Sequence, residues 1–383
     1  MQFVIKKSDL VRELQTVTGV VEKRATVPIL ANLLIEATKE GLQVGASDLE
    51  VTIRGVAAAD VSKEGSVTLP AGKLYEIARS LPDQDVQFKM NERNQVTIRC
   101  GQTRFMISGQ PRDDFPSFPE VDEKNGVALP GKLLQSMIER VAFAITTDDP
   151  RYALQGALFL LDKEGVLTLV ATDTHRLAYV SSKLDLKGKN EEIRVIISRK
   201  ALSQVLKMTA DMDADETIVM GRESTHIFFA IKDYKLTCNL LEGTFPNYEN
   251  VMPENCATEV TVPVDDLLAA AKRVSLLGSD QFGRAVQLEL GQGKLELSSK
   301  TEVGEAQETI PVEYDGDEIK IGFNARYLID FLNVVGSPAV KLEFNPLRDG
   351  EKPGETNPGD KPGLFRPMDE GMDYRYVVMP MHL

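Results

Sequence analysis

The hydrophobic residues of the chain repeat one pattern three times, a short alternating strand followed by an amphipathic helix. The strands lie at residues 3–5, 127–129 and 260–262. Within each helix the apolar positions are three or four residues apart, so they share one face. The three apolar stripes are Leu10, Val11, Leu14, Val17 and Val21; Leu133, Leu134, Met137, Ile138, Val141 and Ile145; and Val264, Leu267, Leu268, Ala271 and Val274. The pattern predicts three copies of one structural unit.

Other features recur at the same place in each copy. A glycine, which permits positive φ, precedes an alternating strand at Gly41, Gly165 and Gly293. The sequences Ala46-Ser47-Asp48 and Ala171-Thr172-Asp173 follow the first two turns. A second helix is predicted around Leu74, Leu202 and Leu328. The agreement in order predicts an α+β protein of three tandem domains, at residues 1–122, 123–253 and 254–383.

Residues 345–373 depart from the repeat because they are rich in proline and glycine. This composition favours an irregular surface insertion in the third domain rather than an element of its core. The alternation typical of a strand resumes at Tyr374. The apolar residues 376–383 have two interpretations, a last strand inside the core or one wall of a methionine-lined groove.

Composition places the chain among globular proteins of the cytoplasm. A chain of 383 residues with 42% hydrophobic content can bury substantial cores. It has no apolar run of about 18 residues and no signal-peptide pattern at its start, so neither a membrane span nor export is expected. Three widely spaced cysteines, Cys100, Cys238 and Cys256, are typical of buried thiols in a reducing compartment.

The net charge of the chain argues against nucleic-acid binding, but the distribution of charge along the chain weakens that argument. Acidic residues exceed basic residues by 58 to 44, and the formal net charge is -14, whereas phosphate binding normally requires a basic surface. The six predicted helices nevertheless contain more Lys and Arg than Asp and Glu. Either these helices line a channel for duplex DNA inside an acidic exterior, or they have an ordinary mixed surface. No motif that reads bases is present.

One segment approaches a nucleotide-binding motif. Residues 126–133 almost match the phosphate-binding loop G-x4-G-K-[ST], but Leu133 replaces the magnesium-binding hydroxyl and Pro130 lacks an amide proton. The segment also coincides with the strand-to-helix junction that recurs in all three copies. Nucleotide binding is therefore not expected.

Candidate catalytic and metal-binding residues are sparse. The three histidines, His175, His226 and His382, lack metal-ligand spacing, so no metal or cofactor is predicted. Asp173 and His175 would share one face of a strand, which leaves a hydrolase centred on this pair as an alternative. No nucleophile with a supporting motif accompanies them, so a structural or binding role is favoured.

Several of these segments together resemble one family. The threefold repeat, the octapeptide from Ala171 to Ala178, Phe245-Pro246-Asn247-Tyr248 and Val377-Val378-Met379-Pro380-Met381 are similar to the bacterial DNA polymerase III beta subunit. The resemblance implies the DNA clamp fold, with two helices per domain packed on antiparallel sheets. It also implies a head-to-tail homodimer that closes into a ring. Such a protein is a non-catalytic processivity factor that encircles duplex DNA without sequence specificity.

The resemblance also implies three sets of site residues. The partner-peptide pocket would contain Leu154, Thr172, Thr174, His175, Arg176, Leu177, Pro246, Val251, Tyr327, Val378, Met379, Pro380 and Met381. The DNA contacts would be Arg24, Arg151, Tyr152, Arg199 and Lys200, and the dimer interface would contain Arg104, Phe105, Ile107, Leu276, Leu277 and Glu302. Two positions depart from the family, Thr174 in place of glycine and Asp148 in place of a neutral polar residue.

The partners that the resemblance implies are double-stranded DNA, a second copy of the chain, the DNA polymerase III alpha subunit, the clamp loader and other proteins with clamp-binding motifs. An alternative within the same family is a clamp paralogue whose altered pocket serves repair or drug tolerance.

Overall fold

The computed structural model describes residues 1–22, 27–147, 149–186, 192–254, 256–278, 285–345, 361–368 and 371–381. Arg24 and Asp148 lie outside the described residues. Residues 1–122 contain β1 (Gln2–Lys6), α1 (Lys7–Val17), β2 (Asn32–Thr38), β3 (Gly41–Ser47), β4 (Val51–Ala57), β5 (Asp60–Lys63), β6 (Gly65–Pro70), α2 (Ala71–Ser80), β7 (Asp85–Met90), β8 (Gln95–Cys100) and β9 (Thr103–Ser108).

The rest of the chain repeats this order of elements twice, without a counterpart of β5. Residues 123–253 contain β10 (Val127–Pro130), α3 (Gly131–Ala142), β11 (Gly156–Leu161), β12 (Val166–Thr172), β13 (Arg176–Lys183), β14 (Ile193–Ser198), α4 (Arg199–Thr209), β15 (Thr217–Glu223), β16 (His226–Ile231) and β17 (Tyr234–Asn239). Residues 254–383 contain β18 (Thr258–Pro263), α5 (Val264–Val274), β19 (Ala285–Gly291), β20 (Lys294–Thr301), β21 (Gly304–Pro311), β22 (Ile319–Asn324), α6 (Ala325–Val334), β23 (Ala339–Phe344), β24 (Gly363–Pro367) and β25 (Asp373–Val378).

The helices form where the apolar stripes predict them. The stripe residues Leu10, Leu14 and Val17 of α1 are buried, and so are most of the stripe residues of α3 and α5. Leu133 of α3 and Leu268 of α5 are only partly buried. The second helices α2, α4 and α6 bury the three equivalent leucines Leu74, Leu202 and Leu328. Gly41, Gly165 and Gly293 all have positive φ, as their place in hairpin turns requires. No helix among the described residues is both long and apolar enough to cross a bilayer.

The chain forms two compact units, and residues 123–253 contribute to both of them. The first unit comprises residues 1–135 and 197–241. It contains a five-stranded sheet in the order β5-β1-β7-β8-β9 and an eight-stranded sheet in the order β10-β15-β16-β17-β4-β3-β2-β6. In the larger sheet β17 pairs antiparallel with β4, so strands from the first and second predicted domains share one sheet. Helix α1 packs against α2 and against α4.

The second unit comprises residues 136–196 and 242–383. Its larger sheet has the order β14-β11-β12-β13-β25-β24-β23-β18, and its smaller sheet has the order β21-β20-β19-β22. β13 pairs antiparallel with β25, with Arg176 opposite Val378 and Leu177 opposite Val377. Helices α5 and α6 pack against each other. β13, which contains the predicted pocket residues Arg176 and Leu177, is thus hydrogen-bonded to β25, which contains Val378.

The structure corrects the prediction of an irregular insertion at residues 345–373. Residues 363–367 form β24, which lies between β23 and β25, and its Leu364 and Phe365 side chains are buried. Phe365 contacts the rings of Phe323 and Tyr376. The prolines of this segment misled the prediction, because they also stand at strand ends, as Pro367 does. Residues 346–360 lie outside the described residues.

Two of the three cysteines are buried, and an amide of the sequence that resembles a phosphate-binding loop is hydrogen-bonded within the fold. Cys100 and Cys238 are buried free thiols, and Cys256 is partly buried. Burial raises the pKa of the Cys238 thiol to about 12. The amide of Gly131 donates to the carbonyl oxygen of Glu216 at 2.9 Å. This amide is therefore occupied within the fold and does not form part of a phosphate cradle.

Candidate functional site

The turn between β12 and β13, residues 172–176, is held by its own side chains. The Asp173 Oδ1 accepts hydrogen bonds from the amides of His175 and Arg176 at 3.1 and 3.0 Å. The Thr172 hydroxyl donates to the Arg176 carbonyl oxygen at 2.7 Å and accepts from the Thr174 amide at 3.1 Å. These four bonds hold Thr174 in the left-handed region, with a φ of 74°.

The Arg176 side chain, only 8% exposed, extends from this turn into the core of the second unit. Its Nε donates to Asp173 at 2.9 Å, its Nη1 to Asp330 at 2.8 Å and its Nη2 to the Phe143 carbonyl oxygen at 2.7 Å. The guanidinium also lies 4.3 Å from the centre of the Tyr327 ring. Burial alone would lower the pKa of this guanidinium, but its neighbours Tyr376, Asp330 and Asp173 raise the pKa above its ordinary value. Arg176 is thus a fixed, permanently charged group.

A cavity of about 210 Å³ opens beside this turn. Its wall is mostly apolar, and β25 completes it with Val377 and Met379. The Met379 amide donates to the His175 carbonyl oxygen at 2.8 Å, which ties the end of β25 to the turn. The lining residues are Arg151, Thr172, Thr174, Arg176, Leu177, Pro246, Asn247, Tyr248, Val251, Val377 and Met379. The arrangement suits a short apolar segment of another molecule.

The predicted pocket and the observed cavity overlap in large part. Seven predicted residues line it: Thr172, Thr174, Arg176, Leu177, Pro246, Val251 and Met379. Leu154 and Val378 are buried instead, and Tyr327 packs on Arg176. His175 is exposed, and Pro380 and Met381 follow the wall without lining it. The Met381 amide donates to Gly322 at 2.8 Å.

Four lining residues were missed as pocket residues. Asn247 and Tyr248 stand in the Phe-Pro-Asn-Tyr motif, which the sequence already singled out, and Val377 stands in the C-terminal motif. Arg151 was predicted to contact DNA alone. The apolar end of the chain satisfies both of its interpretations, because Val378 is buried in the sheet and Met379 is an exposed wall of the groove.

The hydrolase alternative finds no support in this geometry. Both carboxylate oxygens of Asp173 are engaged, one by backbone amides and the other by Arg176. Asp173 is therefore an acceptor that shapes the turn, and the hydrogen bond that it forms with His175 is made to the backbone amide of that residue. Among the described residues no group of three His, Cys, Asp or Glu side chains is arranged to hold a metal ion.

The residues predicted to contact DNA are partly occupied by acidic neighbours. Arg151 donates from Nε and Nη2 to Asp149 at 2.8 and 2.6 Å, which lowers the pKa of Asp149 to about 2. Tyr152 is 70% exposed beside it. In the first unit, Lys200 forms an ion pair with Asp48 and lies 3.5 Å from Glu22. Arg199 is exposed in the first turn of α4, a helix with three basic residues and no acidic residue.

The residues predicted at the dimer interface lie on sheet edges and exposed turns. Arg104, Phe105 and Ile107 are on β9, which pairs with β8 and ends the five-stranded sheet. Leu276 is 76% exposed, in a single 3-10 turn with Leu277. Glu302 is exposed at the turn between β20 and β21, and β21 ends the four-stranded sheet. Val303, an apolar neighbour of Glu302 that is 87% exposed, was not predicted at this interface.

Comparison with known proteins covers the whole chain. Models of the DNA polymerase III beta subunit match its N-terminal domain at residues 1–119, its central domain at 128–247 and its C-terminal domain at 249–353. A beta sliding clamp from Pseudomonas aeruginosa is 33% identical over 385 residues, with 100% of both sequences covered. The crystal structure of a DNA polymerase III subunit beta from the same organism has a TM-score of 0.88 at 32% identity and full coverage of both chains. A Bacillus subtilis DNA polymerase sliding clamp has a TM-score of 0.90 at 27% identity, covering 100% of this chain and 99% of that one.

Proposed function

The chain belongs to the family of bacterial DNA polymerase III beta subunits and is a DNA sliding clamp, and from this premise we propose which residues dock partners, close the ring and face DNA. The family supplies the non-catalytic processivity subunit of the polymerase, with three tandem domains per chain. The domain limits proposed for this chain are residues 1–122, 123–253 and 254–383. A cytoplasmic location, where a bacterial chromosome replicates, is part of the proposal.

The cavity beside Arg176 is the proposed docking site for partners, and it is the observation that carries the proposal. Its apolar wall gains affinity by removing partner side chains from water, and the flexible Met379 side chain adapts to different shapes. The buried Arg176 network keeps the floor rigid, so little conformational entropy is lost on binding. The proposed occupants are short extended apolar segments of the polymerase alpha subunit, the clamp loader and other clamp-binding proteins.

Ring closure is proposed to join the two open sheet edges of different subunits. β9 of one subunit would pair with β21 of its partner, which removes two exposed edges at once. Phe105 and Ile107 would then be covered by Leu276, Leu277 and the exposed Val303. Arg104 and Glu302 would stand at the polar rim. Such an interface is head-to-tail, and two copies close it by symmetry.

Duplex DNA is proposed to face the helices, with Arg24, Arg151, Tyr152, Arg199 and Lys200 near the phosphates. The pairing of Arg151 with Asp149 and of Lys200 with Asp48 weakens their attraction for phosphate. Weak contacts suit a clamp, because a closed ring retains DNA by topology and strong phosphate binding would oppose sliding. A polymerase tethered to the ring is held near the primer at an effective concentration of roughly millimolar.

The experiment compares Met379→Lys with Met368→Lys, a matched control at an exposed methionine outside the cavity. A charge in the apolar wall has to lose its hydration when a partner docks, so Met379→Lys should weaken alpha-subunit binding by about tenfold or more. Both variants, once loaded on nicked circular DNA, should stay bound in high salt until the DNA is linearised. Fluorescence anisotropy measures the affinity and gel filtration measures retention.

Equal affinities of the two variants for the alpha subunit would remove the cavity from the proposal. Retention of the wild-type protein after linearisation would show that it does not hold DNA by encircling it.

A further inference from the structure

Thr174 adopts a backbone conformation that its side chain disfavours. Its φ of 74° lies in the left-handed region, where β-branched residues are rare because Cβ crowds the backbone. The turn imposes this φ through the bonds of Thr172 and Asp173. Glycine would adopt the same φ without strain. The threonine side chain is therefore retained at a cost, which points to a role at this position.

The equivalent turn of the first domain shows that the frame itself does not require threonine. There Leu49 has a φ of 75°, Asp48 accepts from the amides of Glu50 and Val51, and the Ser47 hydroxyl accepts from the Leu49 amide. The two turns thus share one backbone and differ in the side chain that stands at its strained position. Thr174 lines the cavity, whereas Leu49 does not.

The Thr174 hydroxyl differs from most polar groups around the cavity because it has no hydrogen-bond partner in the described part of the chain. The Arg176 nitrogens, the Thr172 hydroxyl and the Arg151 guanidinium are all engaged within the protein. The Tyr248 hydroxyl and the Asn247 side-chain nitrogen also line the cavity and have no hydrogen-bond partner among the described residues. Unlike Thr174, neither residue has a positive φ. Thr174 therefore presents a hydroxyl without a partner in the described part of the chain, together with a methyl group, at a wall that is mostly apolar.

We propose that Thr174 is a specificity-determining residue of the cavity, which selects peptides that place a hydrogen-bond acceptor over its hydroxyl and a small side chain against its methyl group. The inference rests on the proposed docking function of the cavity. A bound acceptor would satisfy the hydroxyl away from water, and a peptide without an acceptor would leave that hydroxyl desolvated and unpaired. The methyl group, fixed by the stiff χ1 of threonine, would exclude a bulky side chain at the same point.

The test uses three substitutions that separate these features. Thr174→Val keeps the shape and the strain but removes the hydroxyl, Thr174→Ser keeps the hydroxyl but removes the methyl group, and Thr174→Gly removes both. The probe is the fluorescein-labelled five-residue peptide most enriched when a random displayed library is selected on the wild-type protein. A second set of probes replaces each residue of that peptide in turn by tryptophan.

Thr174→Val should weaken the selected peptide about fivefold to tenfold, the usual effect of one lost hydrogen bond. Thr174→Ser should bind that peptide within about twofold of wild type. Thr174→Ser and Thr174→Gly should both bind one tryptophan-substituted peptide more tightly than wild type does. Leu49→Gly is the matched control, because it relieves the same backbone strain at a residue that does not line the cavity, and it should leave every affinity unchanged.

The outcomes separate the two proposals. If no peptide is selected, or if Met379→Lys does not weaken the selected one, the docking function itself fails. If binding depends on Met379 but all three Thr174 variants match wild type with every peptide, Thr174 does not determine specificity.

Discussion

The turns at residues 47–51 and 172–176 have one backbone design and two different outcomes. Each places an aspartate whose Oδ1 accepts two amides, a hydroxyl residue before it, and a residue with φ near 75° after it. In the first turn Val51 is buried in the sheet and the second oxygen of Asp48 pairs with Lys200. In the second turn Arg176 replaces the valine and pairs with that oxygen of Asp173.

This difference shows how a repeated frame acquires a site. The hydrogen bonds that close the turn involve the backbone and the first two side chains, so they tolerate a change at the last position. An arginine there brings a buried charge, which requires the further partners Asp330 and Phe143 and forms the floor of the cavity. The repeat provides the backbone of both turns, and Arg176 is the side chain by which the second turn contributes to the cavity.

The largest effect is expected for Arg176→Ala, which removes the side chain that distinguishes the second turn from the first. Asp173 and Asp330 would lose the cation that compensates them in a low-dielectric setting, so the free energy of unfolding should fall by about 3–5 kcal/mol. Denaturant unfolding measures this change. Arg375→Ala is the matched control in the same unit, because its exposed pair with Asp373 contributes about 1 kcal/mol or less. Similar losses for both variants would mean that Arg176 does not organise the floor.

The third copy of the hairpin turn extends the comparison to ring closure. The Thr301 hydroxyl accepts from the Val303 amide at 3.3 Å, and Val303 and Leu276 are exposed to solvent. The strands on either side of this turn, β20 and β21, pack against the 3-10 turn that contains Leu276 and Leu277. Leu276→Lys combined with Leu277→Lys should weaken the dimer about a hundredfold, because two charges would have to lose their hydration at the interface. Light scattering over a dilution series measures the dimer fraction. The conservative control is Leu276→Met combined with Leu277→Met, which should leave the dimer unchanged. If the double lysine variant also dimerises as the wild type does, the proposed interface is wrong.

Glu13 contrasts with Asp48 and Asp173, because it is a buried carboxylate whose second oxygen is not paired with a cation in the described part of the chain. The Tyr234 hydroxyl donates to its Oε1 at 2.7 Å, while Oε2 has no partner among the described residues. Burial raises the pKa of Glu13, so the folded state binds its proton more tightly than the unfolded state does. The stability that this proton provides is present at low pH and is lost as pH rises through the folded pKa.

Glu13→Gln should remove that pH dependence and raise the free energy of unfolding at pH 8 by about 1 kcal/mol, since a neutral amide replaces a buried charge. Urea unfolding of both proteins at several pH values from about 4.5, near the ordinary pKa of a glutamate, up to pH 8 measures the difference. Wild-type stability that increases between these pH values relative to Glu13→Gln would contradict the sign.

The smallest expected effect belongs to Lys200→Met. The Lys200 side chain is partly exposed, and its pairs with Asp48 and Glu22 should contribute about 0.5 kcal/mol. The substitution leaves Asp48 able to hold its turn, so the thermal midpoint should change little. A loss comparable to that of Arg176→Ala would show that the first turn also depends on its cation.

Much of the fold could be predicted from the chain alone because it depends on local periodicity. The stripes of α1, α3 and α5 and the hairpin glycines follow from rules that act within a few residues. The repeat then predicted three similar domains, and the motif around residues 171–178 pointed to the cavity residues Thr172, Thr174, Arg176 and Leu177. The strand β24 was missed because it is recognised by its pairing with β23 and β25. Neither pairing is visible in local periodicity, and the segment that contains β24 is rich in proline.

The apolar positions, the place of the repeat and the motifs that carry the family resemblance could all be read from the chain, since these are properties of neighbouring residues. The folded structure was needed to show that Arg151 turns toward the cavity, that both oxygens of Asp173 are occupied and that Val377 completes the wall. Each of these facts depends on contacts between segments far apart in the chain, or on the direction in which a side chain leaves its turn. Hydrophobic periodicity contains no information about either.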